Sequence, residues 1–147
     1  MGESSCMPVG SYRYIPDFIS SDEEQYLLQK IANSPKPKWE NLSRRRLQNW
    51  GGIVSKKGLI PDGNIPDWLQ TMMDKVFEIG QFPPGHKPNH VLINEYLAGQ
   101  GIMPHVDGPV FHPLISTVSL GSHTLLDFYR PLSECRDGDQ TVCYIID

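Results

Sequence analysis

The chain has 147 residues, 39% of them hydrophobic, and a formal net charge of −4. That is enough for one domain with a modest core, and the acidic balance argues against uniform attraction to nucleic acid. Cys6, Cys135 and Cys143 are too widely spaced for a disulfide framework or a Cys-x-x-Cys knuckle, and no window approaches a membrane span. The expectation is a reduced intracellular protein with no membrane partner.

Residues 1–11 are small and polar without periodicity and predict a flexible tail. Tyr12–Ile15 suits a short strand ended by Pro16-Asp17. Ser21-Asp22-Glu23-Glu24 is a capping-box pattern, predicting a helix to about Ala32 with Leu27, Leu28 and Ile31 on its apolar side. Asn33–Pro37 breaks that helix. Between Lys30 and Lys57 eight basic residues face a single acid, Glu40, for a local balance of +7. Within that stretch Trp39 and Trp50 bracket Arg44-Arg45-Arg46-Leu47-Gln48-Asn49, an irregular segment by its pattern. Guanidinium groups and aromatics together suit phosphate contact and base stacking, with Arg44, Arg45 and Arg46 as the phosphate candidates for DNA or RNA. A loop anchored into its own core by two tryptophans would have the same composition.

Ser55–Asn64 is rich in turn formers. Pro66 and Asp67 open a second amphipathic helix, in which Trp68, Leu69, Met72, Met73, Val76 and Phe77 recur at three- and four-residue steps to about Gly80. The methionine pair reads as core filler. Prolines in Gln81–Asn89 exclude a helix there, leaving His86 and His90 as ordinary surface histidines.

A strand follows from about residue 90. Val91 and Ile93 point one way, and Leu92, Asn94 and Tyr96 the other. Gly99 and Gly101 permit a tight turn. Beyond Pro104, His105 and Asp107 stand two apart on extended chain, so an imidazole nitrogen and a carboxylate project to one side and can converge on one ion. An iron centre for oxygen chemistry takes two histidines and one carboxylate on one face, and this pair supplies two of the three. Leu114–Leu120 and His123–Tyr129 read as strands separated by Gly121-Ser122, and Thr141–Ile146 as a last one.

Asn94-Glu95-Tyr96 followed by Gly101-Ile102-Met103-Pro104-His105-Val106-Asp107-Gly108-Pro109 resembles the AlkB-like iron(II)/2-oxoglutarate dioxygenases. Lys36-Pro37-Lys38-Trp39, Leu47-Gln48-Asn49-Trp50-Gly51-Gly52 and Ser119-Leu120-Gly121-Ser122-His123 extend the similarity from about Tyr14 through Tyr129. The resemblance implies an α+β fold, mainly β with flanking helices: a partial double-stranded β-helix of the jelly-roll, cupin-like kind, with two N-terminal helices packed outside. It implies iron(II) held by His105 and Asp107, 2-oxoglutarate bonded by Asn94 and Tyr96, and a substrate lid over about 33–60. The implied reaction is oxidative demethylation of nucleic acid.

The same resemblance calls for a second iron-binding histidine on a late strand, followed by an arginine for the distal carboxylate of 2-oxoglutarate. After Asp107 the sequence has His112 and His123, and after those Arg130 and Arg136, none at the position the family uses. Four or five strands are counted where a jelly roll has about eight. Residues 12–147 therefore read as the N-terminal half to two-thirds of such an enzyme. Two alternatives accompany the dioxygenase: a non-catalytic nucleic-acid-binding module working through residues 30–57, and a truncated form without independent function.

Overall fold

A computed structural model describes residues 12–129 and 133, with the backbone of 143–146. The expected tail at 1–11, Arg130 and Arg136 lie outside the described residues. The chain divides into two compact units: residues 26–118, and a second drawn from residues up to 25 and from 119 onward. The secondary structure is α+β, with two helices and antiparallel sheets.

Helix α1 spans Ser21–Ala32. Its capping box forms one residue earlier than the sequence suggests. The Ser20 hydroxyl accepts from the Glu23 amide at 3.1 Å, and the Glu23 carboxylate accepts from the Ser20 amide at 2.8 Å. Two adjacent serines and two adjacent glutamates make both registers possible. The one adopted leaves Glu24 to accept from the Gly121 amide at 2.6 Å. Of the expected apolar side only Leu27 is buried, and Leu28 is exposed.

After a 3-10 turn at Lys36–Lys38 the chain forms β1 (Trp39–Asn41), β2 (Arg46–Trp50), β3 (Gly52–Ser55) and β4 (Gly58–Pro61). The segment bracketed by the tryptophans is thus largely extended, which corrects its reading as irregular. Helix α2 covers Asp67–Glu78, and β5 covers Val91–Glu95. Strands β1, β2 and β5 make one antiparallel sheet in that order, while β3 and β4 form a hairpin turning at Lys56-Lys57.

Cross-strand partners share a face, so the register sorts the sheet into two sides. Trp39, Gln48 and Ile93 line up on one, and Glu40, Leu47 and Asn94 on the other. The first side packs on helices. Gln48 is fully buried; its amide Nε2 donates to the Ile31 carbonyl of α1 at 3.3 Å, and its Oε1 accepts from the Trp50 indole at 2.9 Å. Trp50 in turn meets Trp68 of α2 edge to face, with ring centroids 6.0 Å apart. Leu69, Met73 and Val76 of α2 and Leu27 of α1 are buried, and Met73 fills space as its residue type suggests, while Leu47 is buried on the opposite side of the sheet.

Gln48 is the polar centre of this core. Gln48→Ala is expected to strand the Trp50 N–H and the Ile31 carbonyl together, at about 2–4 kcal/mol. Urea unfolding should show the midpoint falling with an unchanged slope. A loss below about 0.5 kcal/mol would mean that water reaches both groups.

Two expected strands are not formed among the described residues. Tyr12–Ile15 and Leu114–Leu120 belong to no strand ladder among the described residues. Branched composition favours a strand only when a partner is there. Thr124–Asp127 does pair, as β6, with Cys143–Ile146 as β7, antiparallel.

His90, just before β5, is half-buried, and its Nε2 is enclosed without a hydrogen-bond partner. Burial lowers its basicity, with the charge of Asp62 opposing. It is not the ordinary surface histidine expected. His86 is exposed and stacks on His112 with ring centroids 4.9 Å apart.

Candidate active site

Strand β5 ends at Glu95 and the chain enters the turn Leu97–Gly101, closed by the Gln100 amide on the Leu97 carbonyl at 2.9 Å. The Gln100 side chain also accepts from the Leu97 amide at 2.8 Å. The loop between β1 and β2 grips this turn from the side. Arg44 donates from Nη2 to the Gly99 carbonyl at 2.6 Å, and the Gly101 amide donates to the Arg44 carbonyl at 3.2 Å. The site residues are therefore launched from a fastened turn.

His105 and Asp107 follow in a segment outside any ladder among the described residues, each side chain about half exposed. His105 Nδ1 lies 2.8 Å from the Met103 carbonyl. A carbonyl only accepts, so Nδ1 carries a proton and Nε2 is the nitrogen left to face a ligand. That nitrogen stands 3.6 Å from Asp107 Oδ1. Two ligands at about 2.1 Å from one ion, subtending roughly 90–120°, are about 3.0–3.6 Å apart, so the pair sits at chelating distance. A histidine whose second nitrogen is tied to a backbone carbonyl is the usual arrangement around metal ions.

Among the described residues no group of three His, Cys, Asp or Glu side chains converges to hold a metal. His105 and Asp107 fit two positions of the expected iron set, and no third ligand joins them among the described residues. His112 stacks on His86, with the Phe82 ring centroid at 6.3 Å. His123 lies exposed just before β6. A cavity of about 470 Å³ opens beside Asp107, lined also by Val106, Phe111, His112, Pro113 and Ile115.

Asn94 is on the sheet side away from the helices, and the two-residue period carries Tyr96 to the same side. Leu92 there is 47% exposed and Tyr96 42%. Arg45 Nε donates to Asn94 Oδ1 at 3.0 Å. Arg46 makes a two-pronged pair with Glu95, at 2.6 and 2.9 Å, and its guanidinium lies 3.9 Å over the Trp39 ring. That bonding to Glu95 raises the Arg46 pKa.

All three arginines of the basic segment thus reach β5 or its turn. This link was missed in the sequence, where a run of three arginines reads as a single feature. The five lysines of the segment differ: Lys30 lies over the Tyr26 ring at 5.3 Å and Lys38 over the Trp50 ring at 4.3 Å, while Lys36, Lys56 and Lys57 are exposed.

No family model matches the chain. Single relatives do. Over 129 residues, 87% of this chain and 54% of the relative, it is 54% identical to the probable RNA/DNA demethylase ALKBH6 of Danio rerio. The chain belongs to the AlkB-like family. An uncharacterized protein, L905, of Acanthamoeba polyphaga mimivirus is 32% identical over 132 residues, covering 83% of this chain and 58% of its own length. The AlkB-like region is shared again with the Xenopus tropicalis tRNA (carboxymethyluridine(34)-5-O)-methyltransferase alkbh8, 31% identical over 126 residues, 80% of this chain and 20% of that protein. The AlkB-like chain spans about half the length of the first two relatives.

Proposed function

We propose that this chain carries the first half of an AlkB-type iron(II)/2-oxoglutarate dioxygenase site for oxidative demethylation of nucleic acid, working in the cytoplasm and nucleus. The observation that carries this reading is the His105–Asp107 pair, with Nε2 3.6 Å from the carboxylate and Nδ1 tied to the Met103 carbonyl. Bound iron and 2-oxoglutarate would supply the oxidising power. The chain's own part is to hold two donors in place, through the Met103 carbonyl and the turn that Arg44 fastens.

The face bearing Asn94 and Tyr96 is the proposed oxoacid side. Leu92, Met103 and Val106 are exposed by 47, 78 and 83%, apolar surface that calls for cover. A second sheet facing this one, closing the jelly roll, would supply it. Residues 33–60 are the proposed lid. The exposed lysines Lys36, Lys56 and Lys57 suit phosphate contact, because the arginines are already engaged with β5 and its turn.

The test is an anaerobic iron(II) titration of the 147-residue chain with 2-oxoglutarate present, following the metal-to-oxoacid absorption band. A saturable, equimolar band is expected. No band at millimolar iron would sink the reading for this chain.

A further inference from the structure

The hydrogen bond from Arg45 to Asn94 decides more than the position of two side chains. In the ladder Leu47 stands opposite Asn94, and Arg45, two residues earlier, lies on the same side of the sheet and diagonal to it. An asparagine amide has an oxygen and a nitrogen that look alike, and only a partner tells which way it points. Here the partner is a guanidinium, which donates and never accepts. The atom 3.0 Å from Arg45 Nε must therefore be the oxygen. The amide's two N–H groups are left over, and Nδ2 has no hydrogen-bond partner among the described residues.

We infer that Arg45 is a positioning residue that caps the oxygen of Asn94 and turns its N–H groups to the ligand, so that this position recognises an acceptor such as a carboxylate or keto oxygen of an oxoacid. The inference rests on the reading of this face as the 2-oxoglutarate side and adds the residue that sets its polarity. Arg45 is suited to the task because its backbone is fixed. Its carbonyl accepts from the Leu42 amide at 2.9 Å, and its neighbours Arg44 and Arg46 are bonded to Gly99 and Glu95. The guanidinium also brings positive charge toward an anionic ligand, so the same contact orients the amide and favours its partner.

The test is binding of 2-oxoglutarate, with zinc(II) as a diamagnetic metal, to the 147-residue chain and its variants by calorimetry. The side-chain amide signals of Asn94 are followed by NMR in parallel. Arg45→Ala should weaken binding about tenfold, the scale of losing an outer-shell partner. Arg45→Lys, which keeps a donor, should recover part of it. Asn94→Asp should stay folded on its arginine yet bind at least tenfold more weakly, because it offers the ligand no N–H. The double variant Arg45→Ala with Asn94→Ala should be no worse than Asn94→Ala alone.

In the unaltered chain the Asn94 amide protons should shift on adding ligand, which a merely structural contact would not cause. Weakening by Asn94→Ala with none from Arg45→Ala overturns the role of Arg45 and leaves the oxoacid face standing. Binding indifferent to Asn94→Ala overturns both.

Discussion

Gly52→Ala is expected to destabilise the chain by about 3 kcal/mol, among the largest effects of a single methyl group here. Gly52 begins β3 at φ +142°, and a Cβ placed on it would lie 2.2 Å from the Ile60 carbonyl oxygen and 2.9 Å from Pro61 Cα. Both neighbours are backbone of β4, paired in register with β3, so neither can move without breaking the hairpin. Gly58, at the other end of the same hairpin, is the control. Its φ is +128°, but nothing lies within 4 Å of its Cβ position. Gly58→Ala should cost only the backbone strain, about 1 kcal/mol. Urea denaturation of the two variants separates steric overlap from strain. Equal losses would show that the hairpin opens to admit the methyl group.

Asp107→Asn and His105→Ala are each expected to lower metal affinity by roughly 100-fold or more while leaving unfolding within about 0.5 kcal/mol. The size of the first effect follows from the ligand count. With two donors at 3.6 Å and no third among the described residues, removing either leaves a single ligand and no chelate. The smallness of the second follows from exposure, since both side chains are about half open to solvent. Asp107→Asn is the sharper variant because it keeps shape and removes charge. Titration with manganese(II), read by electron paramagnetic resonance, and thermal melts of the same samples check both halves. Unchanged metal affinity in Asp107→Asn would move the metal away from this pair.

Some of this was legible in the residues alone. The 3.6-residue rhythm of α2, the alternation in β5 and the spacing of His105 and Asp107 are local patterns, each decided within a few positions. The family resemblance rests on such short runs too. The sheet that carries the site was not legible in the same way. Strand β2 was hidden because its most buried residue is Gln48, whose burial depends on a carbonyl of α1 and an indole two residues away. Leu114–Leu120 differs in the opposite direction, having strand composition and joining no ladder among the described residues.

By itself, then, the sequence determined the helices, the central strand and two donors two residues apart, because short-range geometry settles all of these. Tertiary structure alone decided what the three arginines do. Arg45 and Arg46 find their partners 49 residues along the chain and Arg44 finds its own 55 away. Pairing β2 with β5 turns a run of like charges into separate contacts with β5 and its turn, and no local pattern encodes that register.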